Sequence, residues 1–251
     1  LSLAGEGGSL DLYHGGLRAR GAHGEILLDD VDYRHYFDHL REEVRSWTYM
    51  KFPYIERLGK DKGWYRVGPL ARINNAEMIP TPKAEAARIV FMQEGQGQAV
   101  QPTLAYHWAR MIEVLYAAEG IQRLLEDPDI LGEDLMAYGE RRSRGIGVIE
   151  APRGTLFHDY TVDENDLVTR ANLIVSTTSN NQAMNESIRQ VAATYLDGVE
   201  PTEGLLNHLE VAIRAYDPCL SCATHALGKM PLDVEVVDPD GEVLGTAQRG
   251  L

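Results

Sequence analysis

The chain has 251 residues, of which 44% are hydrophobic and 25% charged, enough to bury a sizeable core as one domain or two small ones and too apolar for a disordered segment. Its 38 acidic residues against 24 basic ones give a formal charge of −14, which excludes DNA or RNA as a partner because phosphate binding needs a basic surface to release counterions. No run approaches the roughly 18 consecutive apolar residues of a membrane span, and two cysteines do not make a disulfide scaffold.

A cytoplasmic chain without a membrane span is therefore expected. The N-terminus, Leu-Ser-Leu-Ala-Gly-Glu-Gly-Gly, lacks an initiator Met and the basic and apolar regions of a signal peptide, and reads as a cut inside a longer protein. In chain order, the alternating runs from Leu10 to Arg20 and from Gly24 to Leu28 surround glycines and predict a hairpin. Tyr33, Tyr36, Phe37, Leu40, Val44 and Trp47 then recur at helical spacing and predict an amphipathic helix. Residues 48 to 83, with Pro53, Pro69, Pro80 and Pro82, read as irregular chain with a short strand. A long helix is expected from Pro102 or Thr103 to about Glu126, with Leu104, Trp108, Met111, Leu115 and Ala118 on its apolar face.

Residues 141 to 178 read as three strands, Ile146 to Ile149, Thr155 to Tyr160 and Ala171 to Thr177, with Asp163-Glu-Asn-Asp turning between the last two. Ser179 and Gln182 fit a capping box opening a helix whose stripe is Met184, Ile188, Val191, Ala192 and Tyr195. A further helix runs from about Thr202 to Tyr216 on Leu205, Leu209, Ala212, Ile213 and Tyr216, and delivers the chain to the cysteines. Asp238-Pro-Asp-Gly between apolar runs predicts a terminal hairpin. Without regular βαβ alternation the expected class is α+β: mainly helical, with long packed helices and small antiparallel β-hairpins or sheets.

The chemistry concentrates in Asp217-Pro-Cys219-Leu-Ser-Cys222-Ala-Thr-His225. Two thiols three positions apart can converge on one soft metal ion, and His225 adds a borderline ligand. Taken alone, the pair is equally compatible with a redox dithiol or half of a structural zinc site, although zinc normally takes four protein ligands and the other seven histidines are scattered. Arg153 alone would be a surface arginine in a Pro-Arg-Gly turn, and Asp217 a helix-ending residue before proline.

The longer string resembles the C-terminal metal-binding signature of nickel–iron hydrogenase large subunits, in particular the cytoplasmic, bidirectional, NAD(P)-linked branch. Four other segments appear in that family's order: Tyr49-Met-Lys-Phe-Pro-Tyr, Tyr65-Arg-Val-Gly-Pro-Leu-Ala-Arg72, Glu150-Ala-Pro-Arg-Gly-Thr-Leu-Phe-His158 and Asn180-Asn-Gln-Ala-Met-Asn. The resemblance implies heterolytic cleavage or formation of H2 at a Ni-Fe centre whose iron carries CO and cyanide. It makes Cys219 the terminal nickel thiolate, Cys222 the thiolate bridging nickel to iron, and His225 a ligand of a separate Mg ion. Arg153 is then the cation over the open coordination position, oriented by Asp217, and Pro152 and Thr177 line the pocket of the diatomic ligands. The chain departs from many family members in having Ser176 and Ser179 where a Pro and a Trp often flank that hydroxyl, so Ser176 is a further candidate donor.

The family's second, N-terminal Cys pair and its proton-relaying glutamate are not found in this sequence. Residues 1–251 therefore read as the C-terminal portion of a large subunit, unable by itself to build an active centre. The resemblance also implies partners: diaphorase-type subunits, an iron–sulfur small subunit, nickel-insertion factors and a maturation protease. That protease would remove the extension 226–251, the 26 residues that follow His225. Faces that normally pack on absent chain would be exposed and favour self-association. The alternatives are a non-catalytic relative with a structural or electron-relay role, and an unrelated zinc or thiol module using Cys219, Cys222 and His225.

Overall fold

The computed structural model, which describes residues 1–224 and 231–249, combines helices with small antiparallel sheets. In chain order the strands and helices are β1 (Ser2–Ala4), β2 (Gly16–Arg20), β3 (Ile26–Val31), β4 (Leu40–Glu43), β5 (Phe52–Ile55), α1 (Gly59–Lys62), α2 (Pro69–Asn75), α3 (Pro82–Gln93), α4 (Ala105–Leu125), β6 (Arg144–Ala151), β7 (Gly154–Val162), β8 (Val168–Ile174), α5 (Ser176–Ser179), α6 (Asn181–Tyr195), α7 (Glu203–Ala215), α8 (Leu220–Thr224), β9 (Leu232–Val237) and β10 (Val243–Arg249). This is the α+β class expected. None of the described helices is long and apolar enough to cross a membrane. The chain divides into two compact units, residues 1–39 with 67–176, and residues 40–66 with 177–251.

In the first unit, β1-β2-β3 form one antiparallel sheet and β6-β7-β8 another, with α2, α3 and α4 as its helices. The two-residue turn Pro152-Arg153 joins β6 to β7, with Ala151 opposite Gly154. Asp163 closes the β7–β8 turn by accepting the amides of Asn165 (2.8 Å) and Leu167 (3.0 Å) on Oδ1. Helix α2 is buried along its whole length. It lies inside the stretch expected to be irregular, because a glycine and a proline read there as breakers; Pro69 at the first helical position instead starts the helix. Helix α3, unassigned from the sequence, likewise starts on Pro82, and Glu119 of α4 accepts the amides of Lys83 and Ala84 at 3.1 and 3.0 Å.

Helix α4 has the expected bounds but buries a different face. Tyr106, Ala109 and Ile112 are the buried residues, whereas Leu104, Trp108, Met111 and Ala118 are exposed and Leu115 is half-buried. The helix is apolar nearly all round, so periodicity does not select the inner face. The Tyr106 hydroxyl fixes it by donating to the Val67 carbonyl at 2.9 Å.

The helix expected over residues 33 to 47 is absent. Tyr33–Asp38 is a short 3-10 turn capped by Asp32, and the chain then becomes β4, paired antiparallel with β5. Of the aromatic residues in that pattern only Tyr36 is buried. Its ring lies 5.2 Å from that of Phe157, and its hydroxyl donates to Asp159 Oδ2 at 3.1 Å. Cross-strand pairing and one aromatic anchor outweigh the helical spacing.

Asp159 also accepts Nε and Nη2 of Arg144 at 2.9 and 2.8 Å, and these bonds hold its carboxyl below the ordinary range. A carboxylate depressed in the folded state contributes stability above its unfolded value of about 3.9 and loses it as pH falls through the lower folded value. Asp159→Asn should therefore lower the melting temperature at pH 7 and draw level with the parent once the pH has fallen below the depressed folded value. Thermal scans across pH check this, and a gap that persists at acid pH contradicts it.

In the second unit, α6 and α7 pack together, and β4–β5 and β9–β10 form two-stranded sheets. Thr202 caps α7 by accepting the Leu205 amide at 3.2 Å, and Leu205, Leu209, Ala212 and Tyr216 are buried as expected. The predicted terminal hairpin is present. Asp238 Oδ1 accepts the amides of Asp240 and Glu242 at 2.9 and 2.8 Å, and Arg249 bonds Asn207 and Glu203 on α7 at 2.6 and 2.9 Å.

Ser179 does not open α6 as a capping box. The N-cap is Asn180, without a side-chain cap. Ser179 is instead buried beside Tyr65, oxygen to oxygen 3.5 Å, and burial pushes that phenol far above its usual value, so it stays neutral.

Candidate metal centre

The end of α7 aims the cysteine segment. Tyr216 is buried, its hydroxyl 2.9 Å from Ser187 Oγ and 3.2 Å from the Ala183 carbonyl, which ties the last turn of α7 to α6. Asp217 follows with φ +51°, its amide donating to the Arg214 carbonyl at 3.0 Å. Among side-chain-bearing residues, Asp and Asn tolerate this left-handed conformation best, and Pro218 disfavours helical geometry for the residue before it. The helix therefore stops here, and α8 starts immediately after Cys219.

Within α8 and its approach, the Cα atoms of Cys219 and Cys222 lie 5.4 Å apart and their sulfurs are in direct contact as a disulfide. The Cys219 sulfur is 3.9 Å from Ser221 Oγ, and Ala223 is buried beneath the turn. Cys222 is exposed and Cys219 half-buried. Both sulfurs thus occupy one side of one turn at the surface of the second unit. His225 lies outside the described residues. Among those that are described, no third His, Cys, Asp or Glu joins a metal-binding group with the pair.

The sequence places Thr177 at the end of a strand. The strand stops at Ile174, and Thr177 sits in the turn α5 with its hydroxyl accepting the Cys219 amide at 3.1 Å. That bond uses a lone pair of the threonine oxygen and leaves its hydrogen to donate elsewhere. Ser176 is differently placed: its hydroxyl is buried and donates to the Gly154 carbonyl at 2.6 Å. Of the two adjacent hydroxyls, Thr177 is the one attached to the cysteine segment.

Pro152 and Arg153 form the tip of the β6–β7 hairpin in the first unit, the proline exposed and the arginine half-buried. The turn closes on Gly154, whose φ is +133°, and a side chain there would sit 2.6 Å from the Gly68 amide nitrogen. Only glycine fits both the conformation and the space.

Behind the tip lies a group of charges to which the sequence assigns no role. Arg72 is 2% exposed. Its Nε and Nη2 bond Glu113 at 2.5 and 2.7 Å, and its Nη1 bonds Glu150 at 2.9 Å. Glu150 also accepts the Leu3 amide (2.8 Å) and the Thr155 hydroxyl (2.7 Å), so neither carboxylate oxygen is left bare. The available signal was an arginine inside the apolar run Pro69-Leu-Ala-Arg-Ile, which no solvent-facing stripe explains.

The donor set has the chemistry of a soft transition-metal site. Reduced to thiolates, the two sulfurs on one turn can share a thiophilic ion, with a hydroxyl fixed at the backbone of one of them. This donor set fits the thiolate side of a Ni-Fe centre, which the two sulfurs would hold.

A family model described as nickel-dependent hydrogenase matches residues 22–225. The beta subunit of the NAD-reducing hydrogenase HoxS from Cupriavidus necator is 47% identical over 253 residues, covering 99% of this chain and 52% of that protein. The F420-non-reducing hydrogenase of Methanothermobacter marburgensis contributes a second relative, 45% identical over 243 residues, covering 94% of this chain and 51% of that protein. Among solved structures, an NAD+-reducing [NiFe]-hydrogenase in the H2-reduced state superposes with a TM-score of 0.85 at 54% identity, over 89% of this chain and 50% of that one. The chain spans about half the length of the curated relatives it matches.

Proposed function

From the premise that this chain belongs to the nickel-dependent hydrogenase family, we propose that it supplies the C-terminal half of a [NiFe]-hydrogenase catalytic subunit. In the complete assembly that subunit cleaves or forms H2 heterolytically and exchanges electrons with NAD(P) through diaphorase-type subunits and an iron–sulfur small subunit. The observation that carries this reading is the convergence of Cys219 and Cys222 on one turn, with the Cys219 amide bonded to Thr177.

When bound, a Ni-Fe centre supplies a redox-active Lewis acid at which H2 is polarised and split. Cys219 and Cys222, once reduced to thiolates, would hold it. Thr177, accepting at its oxygen from Cys219, keeps its hydroxyl hydrogen to donate and would offer it to the bound group. By its match to the family motif, Arg153, which the resemblance pairs with Asp217, would contribute a cationic fork that stabilises developing charge without occupying a coordination position. The resemblance gives Pro152 a place in the pocket wall, and His225 would hold a magnesium ion. Ser176 leaves this set, because its hydrogen is committed to Gly154. The residues 226–251 are the part removed on maturation, with nickel-insertion factors and a protease as transient partners. Two thiolates being half of a four-thiolate site, the chain by itself is inactive.

Arg153→Lys in the complete, assembled enzyme tests the proposal. Lysine keeps the charge and loses the fork, so H2-dependent NAD(P) reduction should fall by about 10² to 10³, with nickel content retained. Turnover at the parent rate in nickel-replete Arg153→Lys enzyme would remove Arg153 from the machinery.

A further inference from the structure

We propose that Arg72 is a positioning residue for Arg153, fixing the hairpin tip through the two carbonyls that precede it. The proposal rests on the role assigned to Arg153 above.

The geometry behind it is complete on the side of the donor. Arg72 has five N–H groups, and five acceptors take them: two oxygens of Glu113, one of Glu150, the Ala151 carbonyl at 2.9 Å and the Pro152 carbonyl at 3.2 Å. The last two belong to the residues immediately before Arg153. Both sides of the tip are constrained as well. Ser176 donates to the Gly154 carbonyl, and Gly68, at φ +92°, lets the Arg153 carbonyl approach so closely that a Cβ there would sit 2.8 Å from it. The backbone is thus held at residues 151, 152, 153 and 154 by side chains or close packing from elsewhere in the same unit.

Stability alone does not account for this arrangement. A buried arginine between carboxylates gains little net free energy over an apolar core of equal volume, since desolvation offsets the attraction. A planar fork does fix direction, and Lys, with a single nitrogen, cannot reach Glu113 and two successive carbonyls together. Glu113 on α4 and Glu150 on β6 hold the fork in plane, and the fork in turn holds the tip. An arginine expected to meet a reacting centre needs its backbone fixed in this way.

The test uses the complete, assembled and nickel-loaded enzyme carrying Arg72→Lys, Arg153→Lys or both. Arg72→Lys should lower kcat by about 10- to 100-fold at unchanged KM for H2, as loss of supporting contacts around a metal site does. Amide hydrogen exchange in a peptide spanning residues 151 to 157 should accelerate, while exchange in α7 stays at the parent rate. If Arg72 acts through Arg153, the double variant is no slower than Arg153→Lys alone; independent losses that multiply would overturn the proposal. Parent-like kcat and tip exchange in Arg72→Lys, with Arg153→Lys still slow, would overturn it while sparing the role of Arg153. Parent-like turnover in Arg153→Lys would bring down both. Should Arg72→Lys fail to assemble, Glu113→Gln carries the same readouts. It places an amide against the fork and should loosen the tip selectively, and unchanged tip exchange in that variant would overturn the proposal.

Discussion

Cys222→Ala in the complete subunit is expected to abolish nickel incorporation and H2 turnover together. In the ligand role proposed for Cys222 a thiolate cannot be replaced by solvent without opening the site, and even outer-shell losses around metals typically cost about 10- to 100-fold in affinity; removal of a direct ligand should exceed that. Cys219→Ala should behave alike, because the two sulfurs share one side of a single turn. Elemental analysis and H2-dependent reduction of NAD(P) or a dye are the measurements. The 251-residue chain alone provides the complementary arm: it should bind nickel well below one equivalent and show no hydrogen uptake. Stoichiometric nickel in the alanine variants, or hydrogen uptake by the chain alone, would refute the assignment of these thiolates.

The largest effect on stability is expected at Phe157. Its side chain is fully buried in β7, opposite Val148 on β6 and Ile174 on β8, with the Tyr36 ring 5.2 Å away. Deleting a buried phenyl costs the lost burial plus the cavity left behind, so Phe157→Ala should destabilise by about 3–5 kcal/mol. Phe37, 38% exposed in the neighbouring turn, is the control of equal size. Its replacement should cost about 1 kcal/mol or less. Urea midpoints of the two variants decide the matter, and comparable shifts would mean that the β6-β7-β8 sheet is not the core it is taken to be. Because this hairpin carries Arg153 at its tip, the Phe157 variant should also lose activity in the assembled enzyme.

What was legible followed from local rules. The three strands of residues 141 to 178 were readable from their alternation and from Asp163, and the terminal hairpin from Asp238-Pro-Asp-Gly. Helix α7 was readable from its stripe and Thr202 cap. Each of these is settled by short-range chemistry: a turn that an Asp side chain closes, or a period that one face must bury. The failures have physical causes of equal clarity. Tyr33 to Trp47 has helical spacing, yet β5 offers β4 a hydrogen-bonding partner that no local pattern announces. In α4 both faces are apolar, and only Tyr106 bonding Val67 identifies the inner one.

The site divides the same way. Spacing alone placed Cys219 and Cys222 together, since residues three apart on a helical turn share a face, and ordered resemblance supplied the family. The hydroxyl question was open in the sequence, where Ser176 and Thr177 are adjacent and chemically alike. Backbone direction separates them, sending one to Gly154 and the other to the Cys219 amide.

The amino-acid sequence by itself determined the chemical class of this protein, because a thiolate pair and its flanking motifs are contiguous residues whose spacing survives without coordinates. Only the tertiary structure decided how Arg153 is held. Arg72, Glu113 and Glu150 are separated by tens of residues, and a buried charge reveals its purpose only when its partners are seen, since burial makes every one of its hydrogen bonds obligatory.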